Sequence, residues 1–76
     1  MTAFDQELDA RNLTCPLPIL KAKKAIKAMS TGETLKVVAT DPGSVQDFES
    51  FCQQTGHLLL ESSESEGEFH FLVKRS

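Results

Sequence analysis

Two prolines, Pro16 and Pro18, stand directly ahead of an amphipathic segment and fix where a helix can begin. Inside a helix a proline removes a backbone hydrogen bond and costs roughly 3 kcal/mol or more, whereas the first four amides of a helix have no partner within it. Both prolines therefore belong in a first turn, and the sequence predicts a helix from Pro16 to about Ser30. Apolar residues recur along it at three- and four-residue spacing, namely Ile19, Ala22, Ile26 and Met29.

A second helix is predicted after the segment DPGS. Either Asp41 caps it with Pro42 as its first residue, or Ser44 caps it with Asp47 three residues further on. Glycine favours helix termination, so we expect this helix to end at Gly56. Its apolar face carries Val45, Phe48, Phe51, Cys52 and Thr55.

Four further segments have the composition and alternation of β-strands, and they are residues 6–10, 34–40, 57–62 and 68–74. The predicted order is therefore βαβαββ in one domain spanning residues 1–76. So short a chain cannot cover both faces of a sheet with helices. We expect an α+β fold, a two-layer α/β sandwich in which two helices lie on one face of a four-stranded mixed sheet.

Charge and hydropathy exclude several classes of function. The net charge is −3 and the pI about 5.2, which argues against direct nucleic-acid binding because such proteins usually carry an excess of Lys and Arg. The longest apolar runs are three residues, too short for a membrane span, and the N-terminus has no secretory pattern. These features predict a cytoplasmic protein with no membrane partner.

The thiol of Cys15 is the candidate reactive group. At the predicted N-cap or close to it, this thiol would face unpaired amides, including a free amide at Leu17, and the positive end of the helix dipole. Such a position lowers a cysteine pKa from about 8.5 to roughly 3.5–7.5, and Arg11 and Lys21 would add positive charge. The alternative is an unreactive capping residue.

The other candidate side chains have plainer interpretations. Cys52 lies on the apolar face of the second helix and is expected to act as a small hydrophobe, although a resolving thiol is the alternative. His57 and His70 have no carboxylate or cysteine at a telling distance, which favours strand-end or surface roles. The spacing of the two cysteines fits neither a disulfide framework nor a zinc pattern, and no metal is expected.

Basic residues form one face of the predicted first helix, while carboxylates gather near the last hairpin. The basic side chains are Arg11, Lys21, Lys23, Lys24 and Lys27. This face is either a solvated surface or a docking surface for an acidic partner, and its position beside Cys15 is the argument for docking. Arg11, Lys21 and Lys24 are the candidate docking residues.

The stretches LDARNLTCPLPILKAKKAIKAM and GETLKVVATDPGSVQDFESFCQQTGHLLL resemble the TusA/SirA-like family of small sulfur-carrier proteins, whose hallmark is a CPxP motif. The resemblance covers residues 8–74 and implies the βαβαββ sandwich. It also implies that Cys15 carries a persulfide, with Pro16 and Pro18 shaping the motif. No cofactor is implied. Leu17 stands where the tRNA-thiolating member has an acidic residue, whereas the segment FCQQTGH resembles that same member.

The resemblance implies two partners, a cysteine desulfurase as sulfur donor and a downstream relay protein as acceptor. Thiolation of the wobble uridine of tRNA at its 2-position is the leading pathway, with molybdenum-cofactor or sulfur-oxidation pathways as alternatives. A function of another class is a regulatory or redox-sensing interaction module on the same scaffold. In that case Cys15 would be a sensor or only a cap.

Overall fold

Strands and helices follow one another in the predicted order in the computed structural model, which describes residues 4–14 and 16–76. The elements are β1 (Gln6–Ala10), α1 (Leu17–Lys27), β2 (Thr34–Ala39), α2 (Gly43–Thr55), β3 (Leu58–Ser65) and β4 (Glu68–Lys74). Both helices pack on the sheet, so the predicted two-layer α+β architecture is confirmed.

The sheet is mixed, with the strand order β1-β2-β4-β3. β1 pairs with β2 in parallel, which the intervening α1 makes possible, and β4 pairs antiparallel with both β2 and β3. The register aligns Ala10 with Ala39 at the end of β1. Because α1 follows β1 along the chain, the segment that contains the two prolines lies beyond this end of β1.

The core lies between the sheet and the two helices. Alternate strand residues point into it, and the period of two places Leu35, Val37 and Ala39 of β2 on the helix side, all fully buried. Phe48 of α2 stacks on Phe71 of β4, with ring centroids 4.5 Å apart and planes inclined by 19°. This stacked pair joins the helical layer to the middle of the sheet.

α1 ends at Lys27, earlier than the predicted Ser30. The chain tightens there, since the amides of Ala28 and Met29 donate to carbonyls three residues back. The guanidinium of Arg75 donates to the carbonyls of Ile26, Lys27 and Met29. A side chain from the end of the chain thus satisfies the last carbonyls of α1, a distant contact that the local sequence does not reveal.

α2 begins at Gly43, and Pro42 directly before it already has right-handed helical angles, with φ −58° and ψ −29°, as predicted for a first position. Of the two predicted caps, Asp41 is therefore supported and Ser44 is wrong. Asp41 lies outside the helix, where its carboxylate accepts the Gly43 amide at 3.2 Å. Ser44 lies inside it, and its hydroxyl donates to the Asp41 carbonyl at 2.6 Å. The helix ends as predicted at Gly56, whose φ of 84° is left-handed and suits glycine.

The last hairpin is longer than predicted. β3 continues to Ser65, and Glu66 and Gly67 alone form the turn, both with positive φ. β4 has the predicted bounds. Phe71 and Val73 face the helices as expected, whereas Leu72 points to the opposite face and is nevertheless buried.

Candidate functional site

The segment between β1 and α1 leads the chain to the cysteine of the CPLP motif. Cys15, the predicted reactive group, lies outside the described residues. Its neighbours Thr14 and Pro16 are described, as are the loop before it and the helix after it. The site is therefore defined by the groups that hold these two neighbours.

The two prolines stand at the start of α1, and the helix begins one residue later than predicted. Pro16 is the N-cap and not the first helical residue, because its ψ of 19° is not helical while its carbonyl accepts the first helical hydrogen bond, from Leu20 at 3.1 Å. Pro18 is the second helical residue and is fully buried, whereas Pro16 is exposed. Both prolines still stand where a missing amide costs little.

The amide of Leu17 is not free, contrary to the prediction. It donates to the carbonyl of Thr14 at 2.8 Å. Pro16 and Pro18 have no amide hydrogen to offer. The start of α1 therefore presents fewer backbone donors to an anion than the sequence suggested. Stabilisation of an anion there would depend more on the helix dipole and on nearby cations.

Arg11, a candidate docking residue, is held by carboxylates at the end of β1. Its Nε and one terminal nitrogen contact the two carboxylate oxygens of Asp9 at 2.9 and 3.1 Å, and its other terminal nitrogen lies 3.6 Å from Glu68. Hydrogen bonding to Arg11 lowers the pKa of Asp9 to about 2, and Asp9 in turn raises the pKa of Arg11. The positive charge of Arg11 is thus largely compensated locally.

Glu68 extends this cluster to β4, since its carboxylate also lies 3.4 Å from Nε2 of His70. Sequence reasoning assigned His70 only a surface or strand-end role. The sheet register brings Glu68 and His70 near Arg11, although nearly 60 residues separate them along the chain. Only the strand order could have revealed this contact.

Asn12 anchors the middle of the loop to the neighbouring strand. Its φ of 66° is left-handed, a region that asparagine tolerates better than most residues. Its amide donates to the hydroxyl of Thr40 at 2.9 Å. Leu13 adds a weaker bond to the Ala10 carbonyl at 3.4 Å. Sequence reasoning did not single out Thr40, which follows directly after β2.

The four lysines of α1 are all exposed, as expected for a face that lies off the apolar stripe. The ammonium of Lys23 lies 5.9 Å from the ring centroid of Phe51 on α2. Leu17 and Leu20 are also exposed on α1, at 44% and 50%. The surface of α1 therefore combines positive charge with exposed apolar side chains, a composition suited to protein recognition.

A shallow groove separates α1 from α2 and starts at Pro16. Near this end it encloses about 200 Å³ and is lined by Ile19, Lys23 and Phe51 among others. A second concavity of about 260 Å³ continues it past Lys23 and Phe51 to Arg75. One end of the groove is thus lined by Pro16, the residue that follows Cys15 in the sequence.

Cys52 is buried in the core, as predicted, with 6% of its surface exposed. Burial raises the pKa of its thiol, which favours the neutral form. A neutral, enclosed thiol is a poor nucleophile, so the interpretation of Cys52 as a small hydrophobe is supported over that of a resolving thiol.

Two kinds of feature are absent from the described part of the chain. Residues 4–14 and 16–76 contain no group of three or more His, Cys, Asp and Glu side chains placed to hold a metal ion. No helix among them is long and apolar enough to cross a membrane.

Comparison with known proteins adds a family and a fold. Residues 6–75 match the family described as Sulfurtransferase TusA. The chain is 63% identical over 76 residues to the sulfur carrier protein TusA of Allochromatium vinosum, covering 100% of both chains. It is 54% identical over 69 residues to a chain of Neisseria meningitidis serogroup A, covering 91% and 93%. A SirA-like crystal structure from Desulfitobacterium hafniense matches with a TM-score of 0.82 at 24% identity, covering 92% of this chain and 96% of that one, and shows the same fold.

Proposed function

The chain belongs to the TusA family of sulfur carriers, and from this premise we propose that it carries sulfur as a persulfide on Cys15. The observation that supports this proposal most is the 63% identity over the whole chain to a relative named as a sulfur carrier. The second cysteine is buried in the core, which leaves Cys15 as the candidate carrier. We further propose that the protein acts in the cytoplasm.

The proposed transfer is a thiol–persulfide exchange. The thiolate of Cys15 attacks the outer sulfur of a donor persulfide, so that a new S–S bond forms on Cys15 while the donor's S–S bond breaks. The donor cysteine leaves as a thiolate with the bonding electron pair, and the proton stays on the transferred outer sulfur, which becomes the outer sulfur of the Cys15 persulfide. Discharge to the acceptor repeats the step with the roles exchanged, and no external oxidant is needed.

The surroundings of the motif favour this chemistry. The hydrogen bond between Thr14 and Leu17 and the two prolines restrain the described residues on either side of Cys15. The positive end of the α1 dipole favours an anion at this end of the helix, and a persulfide is more acidic than a thiol. A restrained and positively polarised helix start suits a sulfur that must be presented repeatedly to other proteins.

Sulfur loading tests the proposal directly. The purified chain is incubated with a cysteine desulfurase and cysteine without reductant, and its intact mass is then measured. We expect one added sulfur atom, located by peptide mapping on the peptide that contains Cys15. An unchanged mass, or sulfur on Cys52 instead, would contradict the proposal.

We propose 2-thiolation of the tRNA wobble uridine as the recipient pathway, through a relay protein and without direct tRNA binding. The segment FCQQTGH, residues 51–57, resembles the corresponding part of the tRNA-thiolating member. Deleting the gene should then reduce 2-thiouridine in total tRNA, measured by mass spectrometry of nucleosides. An unchanged level of 2-thiouridine would contradict this pathway and favour the molybdenum-cofactor or sulfur-oxidation pathways.

The exposed lysines of α1 are proposed to dock the donor. Because Arg11 is compensated by Asp9 and Glu68, Lys21 and Lys24 should contribute more than Arg11. Lys21→Glu is expected to lower kcat/KM for sulfur uptake from the desulfurase about five- to ten-fold at low salt. The difference should shrink near 1 M salt, where the screening length falls to about 3 Å.

Lys74→Glu is the matched control for this prediction. Lys74 is exposed at the end of β4 and alternates with the helix-facing Val73, so it lies on the face of the sheet opposite α1, and the substitution makes the same change in net charge. We expect nearly wild-type uptake from Lys74→Glu. Equal losses in Lys21→Glu and Lys74→Glu would indicate a general charge effect and would exclude a docking face on α1.

A further inference from the structure

Two threonines bracket β2, and each holds a segment that flanks β1. At one end the hydroxyl of Thr34 accepts the amide of Asp5 at 3.2 Å. At the other end the hydroxyl of Thr40 accepts the amide of Asn12 at 2.9 Å. Both bonds run from a backbone amide to a threonine hydroxyl, and they join residues 29 and 28 positions apart. The Asp5 amide donates in addition to the Thr34 carbonyl at 3.0 Å, and only the bond to Thr40 lies on the side that leads to Cys15.

The bond from Asn12 fixes a backbone conformation that would otherwise be free to change. A left-handed φ of 66° is unfavourable for a residue with a Cβ atom, so it persists where surrounding contacts hold it. The Thr40 hydroxyl is such a contact, because without it the Asn12 amide would have to find another acceptor. A loop released at Asn12 can return to the commoner right-handed or extended regions.

Releasing Asn12 would displace the reactive residue. The chain needs only Leu13 and Thr14 to reach Cys15, and on the far side α1 is packed against the sheet through the buried Pro18. The Leu17 amide holds the Thr14 carbonyl from the α1 side. Asn12 and Leu13 are therefore the adjustable part of the loop, and the bond to Thr40 fixes the first of them. Exchange between two proteins requires the thiolate to approach the donor sulfur in line with the S–S bond that breaks, so small shifts of the thiol reduce the productive fraction.

We propose that Thr40 is a positioning residue for Cys15, whose hydroxyl holds the Asn12 amide and thereby presents the thiol for sulfur exchange. The proposal rests on the function proposed above. Thr40 touches neither sulfur donor nor acceptor in this role, and it acts only through the loop. The covalent step is unchanged: one S–S bond forms on Cys15, one breaks on the donor, and the donor thiolate departs with the electron pair.

The test compares three variants in sulfur uptake from a cysteine desulfurase. Thr40→Val keeps the shape and removes the acceptor, Thr40→Ser restores the acceptor, and Thr34→Val removes the equivalent hydroxyl at the opposite end of β2. We expect single-turnover uptake to slow about three- to ten-fold in Thr40→Val, the range for one lost hydrogen bond, and to stay within about twofold of wild type in the other two. Alkylation of Cys15 by iodoacetamide, which needs no protein docking, should change little in any of them.

Equal uptake in Thr40→Val and Thr34→Val, or a loss that Thr40→Ser does not restore, would overturn the positioning role. If Thr40→Val does not fold, hydrogen exchange in the wild type decides instead. The Asn12 amide should then be protected, and exchange as fast as in an exposed amide would overturn the proposal. Absence of uptake by the wild type itself would reject the carrier function, a different outcome from wild-type uptake with indifferent variants.

Discussion

Cys15→Ser is expected to take up no sulfur from a cysteine desulfurase, the largest functional effect that we predict. A serine hydroxyl cannot form a persulfide, and it is not ionised near neutral pH, so the substitution removes both the nucleophile and the carrier. The fold should be unaffected, because the contacts that hold the loop and α1 come from Arg11, Asn12 and Leu17. The measurement is intact mass after loading, with the wild type treated in parallel.

Cys52→Ala is the matched control, since it removes the other thiol and leaves Cys15 in place. This variant should load one sulfur atom at the wild-type rate, because the Cys52 thiol that it lacks is buried in the wild type and has a raised pKa. Its cost should appear in stability instead, at about 1 kcal/mol, as for a small cavity in the core. Loading of Cys15→Ser, or failure of Cys52→Ala to load while folded, would contradict Cys15 as the carrier.

The element order could be predicted because local patterns dominate it. A period of two in residues 34–39, a three- and four-residue spacing after Pro18 and a glycine at position 56 each point to one local structure. The architecture then follows from economy, since a short chain can cover only one face of its sheet. The predicted boundaries failed where distant groups decide them, as at the end of α1, which Arg75 caps.

The candidate site was less predictable, because its supporting contacts come from other strands. The CPLP motif identified Cys15 and placed both prolines near a helix start. It did not show that the Leu17 amide donates a hydrogen bond to the Thr14 carbonyl, since that bond depends on the path of the chain before α1. Nor could it show that Asp9 and Glu68 neutralise Arg11, because Glu68 reaches Arg11 only through the strand order.

These corrections move the expected source of thiolate stabilisation. Sequence reasoning relied on a free amide at Leu17 and on the charges of Arg11 and Lys21. The structure engages the Leu17 amide in a hydrogen bond to Thr14 and Arg11 in ion pairs, so the α1 dipole and the exposed lysines of α1, Lys21 among them, are the remaining expected contributors. The same lysines are proposed to dock the donor, which would link recognition to the state of the thiol.

Phe48→Ala is expected to be the most destabilising substitution that leaves the site untouched. The Phe48 side chain is fully buried and stacks on Phe71 with a centroid distance of 4.5 Å, so truncation leaves a cavity between α2 and the sheet. Such a change typically costs about 3–5 kcal/mol, which is comparable with the total stability of a small domain, about 5 kcal/mol at the lower end. We expect urea denaturation followed by circular dichroism to show a largely unfolded population at low urea.

Phe4→Ala provides the control for loss of an aromatic ring. Phe4 is 41% exposed, and its ring contacts the ammonium of Lys36 at 5.5 Å, so its removal should cost less than about 1 kcal/mol. Similar unfolding midpoints for Phe48→Ala and Phe4→Ala would contradict the position of the Phe48 and Phe71 stack at the centre of the core. A clear separation would show that the contact between α2 and β4 contributes much more to the stability of the domain than the exposed ring of Phe4 does.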